Sequence, residues 1–157
     1  MKKFFALLFI ILFVTPAYAN VIYDNEYSSG RAFVQQVDLG KDNAGYKWWL
    51  IGYGPSPTGY YAVARSYYST SNLKAETVNK LTGYYRIPYE KASKVYFTEY
   101  RFEFTPDGNM YSEVSRVFYD DRGNEVCGYR TGHVVYNPVV RNTIQSKAAA
   151  YAMGRIR

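Results

Sequence analysis

The sequence predicts an α+β domain, mainly one antiparallel β-sheet in a meander of about five to seven strands, with a C-terminal α-helix packed on one face. Two observations predict the sheet. Apolar and polar residues alternate along several segments, and these segments are separated by clusters of Gly, Pro, Asn and Asp. The helix is predicted because apolar residues near the C terminus recur at spacings of three and four.

The first nineteen residues have the pattern of a secretory signal peptide. Two lysines precede an apolar run, Phe4–Val14, and Ala17-Tyr18-Ala19 forms a small-x-small cleavage site. We therefore predict a signal peptide over residues 1–19 and a single tyrosine-rich domain over residues 20–157. The protein is expected to be exported and to be periplasmic, exposed at the cell surface or released. Cleavage lowers the formal net charge from +6 to +4.

The composition excludes several classes of site. With one cysteine, Cys127, and one histidine, His133, the chain offers no Cys/His metal site and no intrachain disulfide. Cys127 is interpreted as a small, half-buried strand residue, and an intermolecular disulfide is the alternative. No cofactor motif is present, the cations are too scattered to predict nucleic-acid binding, and no second apolar run could span a membrane.

Four of the predicted strands are bounded by turn residues. They are Gly30–Leu39, Tyr46–Tyr53, Tyr60–Tyr68 and Asn124–Tyr136, the last bent or bulged at Gly128 and Gly132. The segment Gly54–Gly59 contains two prolines, which cannot donate hydrogen bonds to a neighbouring strand. We therefore expect it to be a long, rigid hairpin loop.

Two further strands, Lys94–Phe104 and Met110–Tyr119, alternate strictly and are separated by a five-residue turn. One pairing sets Arg101 opposite Glu113, which is attractive. The competing pairing sets Glu103 opposite Glu113, which is repulsive. We therefore predict the register in which Arg101 faces Glu113.

One helix is predicted at the C terminus, and a second segment is ambiguous. Ser69–Gly83 admits a short helix capped by Asn72, with one apolar face formed by Leu73, Thr77 and Leu81. The C-terminal helix is predicted over residues 138–153, with Asn137 as N-cap and Gly154 as C-cap. Its apolar stripe consists of Val140, Ile144, Ala148 and Tyr151.

The acidic residues do not predict catalysis. Glu99, Glu103 and Glu113 are expected to share one face of a hairpin, and glycoside hydrolysis needs a pair of carboxylates. Arg101 is expected on the same face and would keep these carboxylates ionised, so we interpret the face as solvated and charge-alternating. His133 lacks the sequence context of a catalytic triad. No catalytic, cofactor-binding or metal-binding residue is predicted, and the loop Asp120–Glu125 lacks the spacing of a calcium site.

Tyrosine is the unusual feature of the composition, with 19 residues in 157. Doubled aromatics place one ring on each face of an extended chain, so some rings should lie outside the core. Tyrosine also suits binding surfaces, because it combines a large rigid ring with a polar tip. We predict a binding surface at an exposed edge, formed by Trp48, Trp49, Tyr60, Tyr61, Arg65 and Tyr67. The alternative is that these rings simply fill a small core.

The C-terminal half resembles a known family. The run Val117–Val126 contains a tyrosine-acid-x-x-glycine hairpin and is followed by a strand, Asn137-Pro138 and a closing helix. Over roughly Phe97–Met153 this arrangement resembles the surface-adhesin protein E-like family of small exported bacterial proteins. The single Cys127 departs from the cysteine pair that members often carry. The resemblance implies an exposed envelope protein, which in some members binds host matrix proteins.

These observations together predict a non-enzymatic binding or adhesion protein of the bacterial cell envelope, using an aromatic and basic surface. The expected partner is a protein or a glycan at the envelope or at a host surface. The alternatives are a periplasmic structural subunit or inhibitor of an envelope assembly, or an envelope glycan hydrolase using Glu99 or Glu113. The oligomeric state is left open.

Overall fold

The computed structural model describes residues 36–131 and 134–156, and confirms the predicted fold class. The elements, in chain order, are β1 (Val37–Lys41), β2 (Lys47–Ser56), β3 (Gly59–Tyr67), α1 (Ser71–Gly83), α2 (Tyr89–Ala92), β4 (Val95–Phe104), β5 (Met110–Asp120), β6 (Glu125–Arg130), β7 (Asn137–Pro138) and α3 (Ile144–Ala152). The predicted signal peptide, most of the first predicted strand and His133 lie outside the described residues.

The strands form one antiparallel sheet, curled into a half-barrel, in the order β1-β2-β3-β4-β5-β6. The short strand β7 pairs with the start of β5. All three helices pack on the same side of this sheet, which we call the helix face, and the opposite side is the far face. Among the described residues, no helix has the length and apolar character needed to cross a membrane.

Two apolar clusters lie on the helix face. The α3 cluster consists of Leu39, Trp48, Leu50, Ala62, Ala64, Phe102, Phe104, Ile144, Ala148 and Ala149. The α1 cluster consists of Val78, Leu81, Ala92, Val95 and Phe118. Alanines on both α3 and β3 let the helix approach the sheet closely, because neither surface carries a long side chain at the contact. The two clusters leave a seam between them, where the candidate site lies.

The hairpin between β2 and β3 turns in two residues, Pro57 and Thr58, so the long loop predicted from the prolines is wrong. Strand β2 continues through Pro55, and Ser56 pairs with Gly59. In the described part of the chain, β1 pairs only with the first four residues of β2. Over the described residues Pro55 therefore pairs with β3 alone, and a missing N–H is tolerated there.

The predicted register between β4 and β5 is also wrong. Arg101 lies opposite Ser115 rather than Glu113, because the turn pairs Phe104 with Tyr111 instead of Met110 and Val114 is an extra residue that forms a bulge on β5. This register places Glu113 opposite Phe102 on the helix face, whereas Glu99 stays on the far face. The three glutamates therefore do not share a face. Instead of pairing across the hairpin, Arg101 binds Glu103 on its own strand, at 2.9 Å.

The C-terminal helix begins later than predicted. Residues 137 and 138 form β7 instead of the first turn, and Val140 is exposed. The helix starts after Thr143, which forms a capping box with Ser146. The two side chains of this capping box accept hydrogen bonds from backbone N–H groups at the start of the helix. Asn137 does not cap the helix, because it lies in β7. The predicted C-cap is observed, since Gly154 has a φ of +68° and its N–H donates to the Tyr151 carbonyl.

The first helix is longer than its predicted cap implied. Thr70, not Asn72, is the N-cap, and its hydroxyl accepts a hydrogen bond from the Leu73 N–H. The predicted apolar face is buried, with Leu73, Thr77 and Leu81 all turned towards the protein. On the sheet, Gly128 marks a close approach rather than a turn, because a Cβ there would lie 2.7 Å from backbone atoms of β5.

Candidate functional site

A row of four side chains crosses the helix face where the two clusters meet. The register aligns Trp48 of β2, Ser66 of β3, Thr98 of β4 and Phe118 of β5. The two central residues are small and the two outer ones are large. This difference in size leaves a hollow in the sheet surface between Trp48 and Phe118.

The hollow extends into a cleft of about 250 Å³ between the sheet and helix α1. The small β3 side chains also let rings from β2 and β4 meet, so that Trp48 and Tyr100 lie with centroids 4.7 Å apart. We call this the hydroxyl cleft, and its lining consists of Asp42, Ala44, Tyr46, Trp48, Ser66, Thr77, Lys80, Thr98, Tyr100, Arg116 and Phe118. Its volume is below the roughly 300–1,000 Å³ of pockets for drug-sized ligands, which suits a single small ring.

Hydroxyl groups dominate the polar lining. The hydroxyls of Tyr46 and Thr77 share a hydrogen bond of 2.9 Å, and the Tyr100 hydroxyl lies beside Ser66. Behind them, the buried Tyr68 hydroxyl has no partner in hydrogen-bond geometry, although it lies close to Thr77. Burial raises the pKa of both Tyr68 and Tyr100, so both phenols stay protonated near neutral pH and can donate.

The charges at the cleft are largely balanced within the protein. The Asp42 carboxylate accepts hydrogen bonds from the backbone N–H groups of Gly45 and Tyr46, both at 2.9 Å, and from the Trp48 indole. Arg116 forms a two-bond ion pair with Glu113, at 2.7 and 2.9 Å. Lys80 is exposed and makes no ion pair within the described part of the chain.

Further contacts hold the Arg116–Glu113 ion pair in place. Tyr129 of β6 donates its hydroxyl hydrogen to the Glu113 carboxylate, and the Arg116 guanidinium lies over the Tyr100 ring, 5.1 Å from its centroid. Burial lowers the pKa of Arg116, but the hydrogen bonds that it donates to Glu113, together with its electrostatic interactions with Tyr100, Glu113 and Tyr129, raise the pKa overall. The guanidinium is therefore a permanent, preorganised donor in the wall of the cleft.

The far face combines cations and aromatic rings. Arg65 lies over the Phe97 ring at 4.2 Å from its centroid, and Arg101 lies over Tyr61 at 4.5 Å. Arg65 also forms an ion pair with Glu99, at 3.1 Å, with side-chain exposures of only 16 % and 6 %. This face is therefore not the solvated surface predicted from its alternating charges, because its central glutamate is buried and paired.

The six predicted binding residues do not form one exposed edge. Trp48 is buried, with 6 % of its surface exposed, and forms a wall of the hydroxyl cleft. Tyr60 is also on the helix face and packs against the α3 cluster. The other four predicted residues lie together on the far face and are partly exposed: Trp49, Tyr61, Arg65 and Tyr67.

The structure adds residues that sequence reasoning did not select. Ser66 and Thr98 create the hollow, and Lys80 and Arg116 supply its cations. The available signal was a small hydroxyl residue at an inward strand position beside one aromatic residue, Tyr68 for Ser66 on β3 and Tyr100 for Thr98 on β4. That signal acquires meaning only when the register places Ser66 beside Thr98.

The residues considered for other chemistry lie apart. Glu99 and Glu113 are on opposite faces of the sheet, so they do not form a carboxylate pair. Cys127 is half-buried and packs against the α1 cluster. Over residues 36–131 and 134–156, no three His, Cys, Asp or Glu side chains are grouped so that they could hold a metal ion.

Comparison of the chain with protein-family models, with curated proteins and with solved structures found no match.

Proposed function

We propose that this chain is an exported, non-enzymatic binding protein of the bacterial cell envelope, which holds one sugar unit of an envelope glycan in the hydroxyl cleft. The observation that carries this proposal is the hollow formed by Ser66 and Thr98 between the rings of Trp48 and Phe118. Hydroxyl groups both donate and accept, as a sugar requires, and aromatic rings cover the less polar faces of a sugar ring.

The charge distribution supports a neutral or weakly acidic sugar rather than a polyanion. Asp42 and Arg116 are each occupied by partners in the protein, so the cleft presents little net charge. Lys80 remains as one cation at the rim, which suits a single carboxylate on an otherwise neutral sugar. The family resemblance noted for the C-terminal half favours the same cellular location.

The two tryptophans of the chain allow a direct test, because they lie on opposite faces of the sheet. In a Trp49→Phe variant, fluorescence reports on Trp48 in the cleft. In a Trp48→Phe variant, it reports on Trp49 on the far face. We expect N-acetylglucosamine or N-acetylmuramic acid to change the Trp48 signal with a Kd of about 1 mM, which corresponds to about −4 kcal/mol. Trp49 should not respond.

Substitutions at Ser66 and Thr98, the two small residues of the hollow, test whether the hydroxyl cleft is the binding site. Thr98→Val removes a hydroxyl at nearly constant volume, and Ser66→Leu fills the hollow. The first should weaken sugar binding about fivefold, as expected for one lost hydrogen bond, and the second should abolish it. Ser115→Ala, on the far face, is the matched control. If sugar changes the fluorescence of Trp49 but not of Trp48, the binding site is on the far face. If neither tryptophan responds, the proposal that the cleft binds a sugar is wrong.

Export is tested separately. We expect the protein recovered from the periplasm or medium of the producing cell to begin at Asn20, which intact-mass measurement detects. Recovery of an uncleaved chain in the cytoplasm would contradict export, and it would leave the sugar titration as an independent result.

A further inference from the structure

Three exposed tyrosines lie in the segment where α1 ends and α2 begins. Tyr84, Tyr85 and Tyr89 keep 79 %, 37 % and 70 % of their surface exposed. The rings of Tyr84 and Tyr85 meet edge to face, with centroids 5.0 Å apart. We call residues 80–91 the tyrosine loop. Single exposed aromatics are common, but three in one short segment form a patch that indicates an interaction surface.

The backbone holds these rings outward. The Ile87 N–H donates to the Leu81 carbonyl at 3.0 Å, and the Ile87 side chain packs against the α1 cluster. Between this anchor and the end of α1, Arg86 adopts a φ of +54°, a left-handed conformation that disfavours residues other than glycine. The loop is therefore fixed in a conformation that turns Ile87 inward and leaves Tyr84 exposed.

The loop is positively charged. Lys80, Arg86 and Lys91 are exposed, and none of them forms an ion pair with another described residue. Glu90 is the single acidic residue between positions 80 and 91, so three cations oppose one anion. Lys94 is also exposed, but it lines a hollow with Asp120 and Asp121 and is therefore not counted with the three cations.

We propose that the tyrosine loop docks the protein on an anionic lipid surface. Phenol rings favour the boundary between headgroups and acyl chains, where the ring contacts apolar groups and the hydroxyl stays hydrated. Cations beside the rings are attracted to anionic headgroups. The net positive charge of the loop complements an anionic headgroup layer, and the exposed rings are free to enter it. The proposal uses different residues from the hydroxyl cleft, apart from Lys80, and does not depend on sugar binding.

Co-sedimentation with lipid vesicles tests this proposal. We compare vesicles of phosphatidylcholine alone with vesicles of phosphatidylcholine and phosphatidylglycerol in equal parts, at low and at physiological ionic strength. The protein should sediment with the anionic vesicles, less at the higher salt, and not with the neutral ones. Arg86→Ala should weaken this binding about fivefold, the factor expected for one cation near the surface.

The ring contribution has its own variants. Tyr84→Ala combined with Tyr89→Ala should lower binding to the anionic vesicles severalfold, while the circular dichroism spectrum stays unchanged because both rings are exposed. Tyr53→Ala, an exposed tyrosine beside α3, is the control and should bind as the parent does. Equal binding of the loop variants and the parent, or no binding to anionic vesicles at low salt, would overturn the proposal.

Discussion

The Asp42 carboxylate accepts a hydrogen bond of 2.9 Å from the indole Nε1 of Trp48. The same carboxylate caps the turn after β1 by accepting from the N–H groups of Gly45 and Tyr46. One acidic side chain therefore ties the turn between β1 and β2 to the ring that forms a wall of the hydroxyl cleft. The Asp42 carboxylate is therefore satisfied by hydrogen bonds within the protein, and it is not available to a ligand.

Replacing Asp42 by alanine should lower the free energy of unfolding by about 2 to 3 kcal/mol, because three donors lose a charged acceptor. Urea unfolding measures this change, and near-ultraviolet circular dichroism should report a changed Trp48 environment. Asp38→Ala is the matched control, since from residues 36–131 and 134–156 the exposed Asp38 carboxylate accepts one hydrogen bond, from the Gly40 N–H at 2.7 Å. Equal losses in both variants would contradict the role of Asp42.

Breaking the buried Arg65–Glu99 ion pair should lower the free energy of unfolding much more than breaking the exposed Arg130–Glu125 pair. Glu99→Gln preserves shape but removes the charge that balances Arg65, and should cost about 3 kcal/mol. Glu125→Gln breaks the ion pair with Arg130, in which the Arg130 side chain is 48 % exposed and the Glu125 side chain 43 %. This substitution should lower the free energy of unfolding by about 0 to 1 kcal/mol. Unfolding in urea compares the two. A near-zero effect of Glu99→Gln would show that the pair does not stabilise the fold.

Two strand glycines of ordinary φ should respond differently to the same substitution. A Cβ at Gly128 would lie 2.7 Å from the Arg116 carbonyl oxygen and from the Val117 Cα, so Gly128→Ala must separate β5 from β6. At Gly52 a Cβ meets nothing within 4 Å. We expect Gly128→Ala to lower the free energy of unfolding by about 2 kcal/mol, and Gly52→Ala to change it by under about 1 kcal/mol.

The turn between β5 and β6 should stabilise the fold in a pH-dependent way. Asp120 accepts hydrogen bonds from the backbone and side chain of Asn124 and from the Arg122 N–H, which lower its pKa. A carboxyl whose pKa is lower in the folded state stabilises fully above its unfolded pKa of about 3.9. The contribution is then lost as the pH falls through the lower folded value.

Asp120→Ala should accordingly lower the urea midpoint at pH 7, and the difference from the parent should shrink towards pH 2. Asp121→Ala is the control, because the neighbouring carboxylate makes none of these turn hydrogen bonds. A difference that persists unchanged at pH 2 would show that the carboxylate charge is not the stabilising feature.

The Cys127 thiol should react slowly with thiol reagents, and it should not form a disulfide between two chains. Burial is the main reason that its pKa is raised, with the Glu125 charge adding to it, so little thiolate is present at neutral pH. We expect slow reaction with Ellman's reagent in the native protein, fast reaction in urea, and a monomer band on a non-reducing gel. A dimer band that disappears on reduction would instead support the intermolecular disulfide.

The elements that the sequence predicted correctly rest on local periodicity. Alternation in β4 and the four-residue repeat of Leu73, Thr77 and Leu81 identify which side of each of these elements is buried. These patterns need no knowledge of the neighbours. Cap positions were less predictable, because Thr143 and Asn137 are both good N-cap residues, and β7 pairing with β5 decided between them.

The candidate site depended on contacts between segments far apart in the chain. The predicted exposed edge included both Trp48 and Trp49, whereas the structure buries Trp48 on the helix face and leaves Trp49 partly exposed on the far face. It treated Arg101 and Glu113 as a cross-strand pair, although a bulge at Val114 separates them. A bulge cannot be identified from alternation on one strand, because it is defined by the partner strand that it slips against.

The class of fold, the approximate positions of most strands and the apolar face of α1 could therefore be predicted from the sequence, because alternation and helical repeats are properties of a single segment. The tertiary structure decided the rest. Only the register aligns Ser66 with Thr98, and only the packing of α1 over them encloses a cleft. A pocket is the space that several segments leave unfilled, so its residues gain their role from neighbours that no local pattern specifies.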